Sequence, residues 1–209
     1  QTVVSAKEAV FPRFEPLLVM GLRGKAVESC AVEPPARPTV LFGAHPCDAA
    51  SFAALRAVFT WDSGDAYVES RLANLTVVGL SCAQGDAFCF CTSVGGGPAD
   101  ERGSDILLSA LDDGRYEARL LTDRGRALVD AAPHLFEPPA VTTPHVADLP
   151  PRFDAAALPA RLAACFDDGD LWRDQSLRCL SCGACAYVCP TCTCFDLQDE
   201  RGRESAVRL

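Results

Sequence analysis

The chain has 209 residues, 49% of them hydrophobic and 22% charged, enough to bury a substantial core and too apolar for a disordered segment. Its 28 acidic against 19 basic side chains give a net charge of −9, which repels phosphate backbones and argues against nucleic-acid binding. No apolar run reaches the roughly 18–20 residues that span a bilayer, so no membrane insertion is expected and the chain reads as cytoplasmic.

Residues 1–38 are mixed, and their Pro-rich EPPARP reads as a loop into the first clear strand. That strand is TVLFGA at 39–44, a short apolar and partly β-branched run bounded by Gly, His and Pro. His45-Pro46-Cys47-Asp48 then turns the chain, with Asp48 as the expected cap of a helix over DAASFAALRAVF, where Ala49, Phe52, Ala53 and Ala57 recur at helical spacing. A second helix is expected over 66–73, and LTVVGL at 75–80 repeats the strand pattern before Ser81-Cys82. Strand, helix and strand at this spacing predict a βαβ unit with parallel strands. Both strands then end on one sheet edge, where open α/β sheets gather ligands, and Cys47 and Cys82 fall just past those ends. Cys89 and Cys91 follow in the next loop, close enough to fold back onto the same spot.

Further along, SVGGGPADERG reads as a flexible loop, and its GGGP lacks the strand–Gly-x-Gly–helix context of a dinucleotide fingerprint. Asp113-Gly114 between two apolar stretches predicts a hairpin, and DRGRALVDAA a short helix. Prolines 133, 138, 139, 144, 150 and 151 mark a stiff connector over 133–154. Helices are expected over 154–166 and 170–178, leading directly into a cysteine-rich tail.

Six of the twelve cysteines fall within residues 179–194. Their first four form Cys179-x2-Cys182-x2-Cys185-x3-Cys189-Pro190, gaps that let successive thiolates point inward round a cube of iron and sulfide. Gly183 lets the backbone approach inorganic sulfide, and Pro190 keeps the following chain out of that space. Zinc is the rival, but zinc knuckles pair C-x2-C units across longer spacers, so the run reads as a [4Fe–4S] site. Iron and sulfide would in turn imply a reducing, oxygen-poor compartment. Cys192 and Cys194 either supply a further ligand or pack beside the site as small hydrophobes.

The second constellation is Cys47, Cys82, Cys89 and Cys91. Spacing alone leaves it open between metal ligands and inert buried thiols, and the closeness of Cys89 to Cys91 leans towards metal. Cys30 and Cys165 stand alone and read as core. His45 is either a turn residue or a hydrogen-bond partner of a cluster sulfur. His134 and His145 lie in the connector without a nucleophile beside them, and Asp167, Asp168 and Asp170 read as a solvated helix terminus. With no Ser/His/Asp set and no paired carboxylates, the residues point to electron chemistry without acid–base turnover.

Three segments, VLFGAHPCDAASFAAL, NLTVVGLSCAQGDAFCFCTSVGGGPA and RCLSCGACAYVCPTCTCFDL, together resemble the 4Fe–4S dicluster family, which includes sulfhydrogenase β subunits and the iron–sulfur electron-transfer subunit of anaerobic sulfite reductase. The resemblance runs from about residue 39 to the end. It implies [4Fe–4S] clusters on Cys179, Cys182, Cys185 and Cys189 and on the Cys47/Cys82/Cys89/Cys91 quartet. It also implies partners: a flavin- and NAD(P)H-binding subunit on one side and a hydrogenase- or sulfite-reductase-type catalytic subunit on the other. Where the family has Arg before Pro-Cys-Asp, His45 stands here. The family also continues into a second four-cysteine run that would exchange ligands with the first, so the chain is expected to be a fragment. The expected fold is an α/β (mixed) N-terminal domain with a βαβ unit (1–132), a Pro-rich linker (133–154) and a small α-helical ferredoxin-like domain (155–209). Two other readings stand beside this one: a flavin-dependent coenzyme F420 oxidoreductase-like subunit, which shares a Pro-Cys-Asp strand end and a ferredoxin run, and a non-redox zinc-binding interaction module.

Overall fold

A computed structural model describes residues 4–138, 141–202 and 205–209. Pro139, within the expected connector, lies outside the described residues. Among the described residues the chain is mixed α/β, with two four-stranded sheets and six α-helices.

The central sheet is built from the strongest apolar runs. Strands β3 (Thr39–Ala44) and β4 (Leu75–Leu80) pair in parallel, connected by α1 (Pro46–Phe59) and α2 (Ala66–Ala73). A parallel pair needs such a crossover because one strand ends at the edge opposite to where the next begins. β5 (Ile106–Ala110) adds in parallel to β4, and β6 (Tyr116–Leu120) closes the sheet antiparallel through a turn at Gly114, where φ is +80°. The strand order is therefore β3-β4-β5-β6. Ala49, Phe52 and Leu55 of α1 bury against Ala44, Leu75 and Val77, with Val10 from the N-terminal segment completing the core. Asp105 locks β4 to β5: its carboxylate accepts from the Val77 amide (2.8 Å) and from the Thr122 hydroxyl (2.5 Å). That hydroxyl also accepts from Gly125 N–H and so caps α3 (Asp123–Asp130).

The N-terminal region, read as mixed, holds a hairpin. β1 (Leu18–Arg23) and β2 (Ala26–Ala31) pair antiparallel across Gly24-Lys25, with Gly24 at φ +66°. The tail is helical in α4 (Leu158–Cys165), α5 (Gly169–Leu177) and α6 (Ala184–Val188), but it does not end so. β7 (Asp199–Arg201) and β8 (Ser205–Arg208) follow, and β8 pairs antiparallel with β1, giving a second sheet in the order β2-β1-β8-β7. The last residues of the chain are thus stitched to its first strand. Cys30, expected in the core, is exposed because it sits on the outer strand of this sheet, and Cys165, at the end of α4, is only half-buried.

Two other expectations are corrected. Pro46 takes the first helical position of α1 and His45 the cap, so Asp48 lies inside the first turn and caps nothing; proline fits that position because its missing N–H would be unpaired there anyway. The glycine-rich loop after Cys91 is held, not loose. Arg102 brackets Asp100 and donates to the Gly95 carbonyl (2.7 Å), and Gly96 N–H returns to the Cys91 carbonyl (2.9 Å). Gly103, at φ +78°, packs directly on the backbone of α1, and a Cβ there would overlap the Ala49 carbonyl. Gly103→Ala is therefore expected to lower stability by about 3 kcal/mol, combining a left-handed backbone with an overpacked contact, read as a fall in the urea midpoint. No helix among the described residues is long and apolar enough to cross a membrane.

Candidate metal centres

The first candidate centre lies at the C-terminal edge of β3 and β4. A bulge in β3, with Gly43 at φ +80°, re-aims the strand end just before His45-Pro46-Cys47. Cys47 enters α1 at its first turn, while Cys82 leaves β4 with its backbone pinned on both sides: its N–H donates to the Pro98 carbonyl (2.8 Å) and its carbonyl accepts from the Ala147 amide (2.8 Å). Cys89 is presented by a turn in which the Asp86 carboxylate accepts from the amides of Phe88 (2.7 Å) and Cys89 (3.0 Å), bonds that hold the Asp86 pKa down. The Asp86 amide in return donates to Cys89 Sγ at 3.3 Å. Cys91 opens a short 3-10 helix, Cys91–Val94, whose Ser93 hydroxyl accepts from Arg152 and Phe153 amides at the end of the proline-rich segment.

These four thiols feel one another. Burial first, then Cys47, Cys89, Cys91 and Asp48, push the Cys82 thiol up to about 11. Cys47 is raised by burial, then by Asp48, and also by Cys91. Asp48 is itself raised by burial, offset by His45. Cys47 and Cys82 are poor nucleophiles when free, because the thiolate is disfavoured there. A metal that takes the proton's place removes that penalty, so the set is suited to ligation rather than to covalent catalysis. His45 Nδ1 stands 3.5 Å from Cys82 Sγ, close enough to act on a sulfur as well as to turn the chain.

The second centre follows α5. Cys179, Cys182 and Cys185 are exposed and Cys189 half-buried. Between Cys179 and Cys185 the backbone reverses through two left-handed residues, Ser181 (φ 54°) and Gly183 (φ 71°), and the Ser181 amide donates to Cys179 Sγ at 3.4 Å. A non-glycine residue in that region stores strain, typically about 1–3 kcal/mol, which here wraps the chain tightly between thiols. Cys185 lies in α6 and Cys189 ends it, with Thr191 Oγ1 3.4 Å from the Cys189 sulfur. The free thiols of Cys192 and Cys194 are neighbours: the Cys194 backbone N–H and then its thiol lower Cys192, and the Cys192 thiol raises Cys194. The thiol of Cys185 also acts on Cys194, so the CxC pair stands beside the run.

Both donor sets fit a thiolate-ligated cluster. Each offers four sulfurs, all of the cysteines are free, and each includes an amide N–H directed at sulfur, a recurring means of tuning such sites. Among the described residues no three Cys, His, Asp or Glu side chains gather as ligands of one metal ion. A single ion draws all its ligands into one coordination sphere, whereas a cube binds each thiolate at a separate iron.

Two contacts had no signature in the sequence. Lys7, buried in the 3-10 helix Ala6–Ala9, donates to the carbonyls of Ala186 (2.5 Å) and Cys192 (3.1 Å) in the cysteine-rich tail. Arg13 stacks on Tyr187, 4.2 Å from the ring centre, and Phe11 bridges Phe59 of α1 to Phe195. These residues line a cavity of about 460 Å³ next to Gly183 and Cys194. They tie the second centre to the helix that carries Cys47.

Residues 178–209 match the family described as a 4Fe-4S dicluster domain, so the chain is an iron–sulfur protein whose cofactors are [4Fe–4S] clusters. Over 170 residues, 77% of this chain and 49% of the relative, it is 32% identical to sulfhydrogenase 2 subunit beta of Pyrococcus furiosus, and the chain belongs to that dicluster family. The chain spans about half the length of that curated relative. No solved structure matches it.

Proposed function

We propose that the chain is the iron–sulfur electron-transfer subunit of a hydrogenase-type oxidoreductase, relaying electrons between a flavin- and NAD(P)H-binding partner and a catalytic subunit. The observation that carries this reading is two four-thiol sets on one polypeptide, whose relative is named a sulfhydrogenase subunit. Cys179, Cys182, Cys185 and Cys189 hold one cluster, the last of them open to exchange with a further run, and Cys47, Cys82, Cys89 and Cys91 hold another. Bound [4Fe–4S] clusters supply reversible one-electron transfer.

The chain's own residues orient and shield the sulfurs. Amides of Ser181 and Asp86 donate to the Sγ atoms of Cys179 and Cys89 and hold those sulfurs in place. Pro98 and Ala147 fix Cys82 from both sides, so its sulfur need not reorganise when charge arrives. The half-burial of Cys82, Cys89 and Cys91 limits water at the first set, while the exposed Cys179 and Cys182 leave the second open to a docked partner. In this scheme residues 1–132 form the scaffold of the first set, 133–154 the connector and 155–209 the ferredoxin-type unit.

Iron and acid-labile sulfide analysis of the full-length protein, purified without air, tests the reading. About eight irons and as much sulfide per chain from these two sets, beyond those of any further run, are expected. Zinc without sulfide would overturn it in favour of an interaction module, and released flavin with substrate turnover would favour the F420-type enzyme.

A further inference from the structure

Lys7 carries the only buried ammonium among the described residues, with a relative exposure of 5%. Among those residues no carboxylate pairs with it; its neighbour Glu8 is engaged by Arg13. Two of its N–H donors go to carbonyls of the cysteine-rich tail: Ala186, between Cys185 and Cys189, and Cys192. The Phe11 ring, 5.8 Å from Nζ, covers it. A buried cation without a counter-ion is costly, and two neutral carbonyls do not cancel its charge. A thiolate-ligated iron–sulfide cube is itself anionic and becomes more so on reduction, so a fixed neighbouring cation stabilises the reduced form more than the oxidised one. The charge also acts on the thiols of Cys192 and Cys194, which stand beside the run.

Resting on the ligand assignment above, we propose that Lys7 is a positioning and tuning residue: its ammonium, fixed on the carbonyls of Ala186 and Cys192, raises the reduction potential of the C-terminal cluster, assigned above to Cys179, Cys182, Cys185 and Cys189. The step involves one electron added to the cluster and no change in the protonation of Lys7. The device also couples the two halves of the chain, because the cation that sets the potential comes from the segment packed on α1, far in sequence from the ligands.

The test is an anaerobic redox titration of the intact protein, followed by electron paramagnetic resonance, on Lys7→Gln, Lys7→Met and Lys7→Arg. Lys7→Gln keeps a donor for one carbonyl but loses the charge, and should move the C-terminal cluster to more negative potential while the other cluster stays put. Lys7→Arg should restore the original value. An unchanged potential in Lys7→Gln and Lys7→Met, with the cluster present, overturns the proposal. If both neutral variants lose the cluster, retention of cluster and potential by Lys7→Arg supports a need for charge, and loss by Lys7→Arg as well assigns Lys7 to packing alone. A C-terminal cluster missing from the unsubstituted protein would instead refute the ligand assignment, a failure readable before any variant is made.

Discussion

Cys182→Ser in the full-length protein, purified without air, loses about four irons and about four sulfides per chain and the signal of one cluster, while the α/β scaffold stays folded. Serine is nearly the same size, but its hydroxyl does not ionise at neutral pH and is a poor substitute for a thiolate. The loss is local because Cys182 is exposed and supports no packing; a substitution at such a position typically changes stability by about 0.5 kcal/mol or less. It is also specific, because Ser181 and Gly183 hold left-handed backbone on either side and fix where residue 182 points. Far-ultraviolet circular dichroism should be unchanged, and Cys30→Ser, on the exposed outer strand β2, should keep every iron. Full iron content in Cys182→Ser would refute the ligand assignment.

The parts of the fold that local chemistry dictates were legible in the sequence. TVLFGA and LTVVGL are continuous β-branched and apolar runs with turn residues at both ends, and they became β3 and β4 with the expected parallel pairing. Asp113-Gly114 formed its hairpin because only a residue tolerant of positive φ completes that turn. What escaped depends on distant partners. β8 is four residues that become a strand only by pairing with β1, about 190 positions earlier, and nothing local to Ser205–Arg208 announces that partner. Lys7 has the same character: in sequence it is one lysine in a short apolar segment, and only the tertiary fold gives it two carbonyls of the cysteine-rich tail. The glycine-rich loop misled for a different reason. Composition describes what its backbone can do, whereas the Arg102–Asp100 bracket and the packing of Gly103 on α1 decide what it does. For the scattered thiols, parallel topology foretold that the ends of β3 and β4 would share an edge, but the Asp86 turn that delivers Cys89 to that edge was not foreseen.

Cys82→Ala is expected to remove the other cluster, taking about half the iron of the two sets described here and leaving the C-terminal signal intact. Cys82 is the most sensitive position of its quartet because Cys47, Cys89 and Cys91 all act on its thiol. With its pKa at about 11, the free thiol keeps its proton at neutral pH, so ligation depends on a metal cation displacing that proton. Alanine removes the sulfur of a half-buried residue that lies outside the hydrophobic core, so the polypeptide should tolerate the change. The backbone bonds to Pro98 and Ala147 do not involve the side chain and persist. A shift in the urea midpoint equivalent to about 1 kcal/mol or less is expected, set against a complete loss of the cluster at this sheet edge. Cys47→Ala should reproduce the result from the other strand end, since β3 and β4 present the two sulfurs to one edge. If either variant retains its full complement of iron and sulfide, the four residues are inert thiols gathered by the topology of the sheet, and electrons cross this polypeptide through the C-terminal run alone.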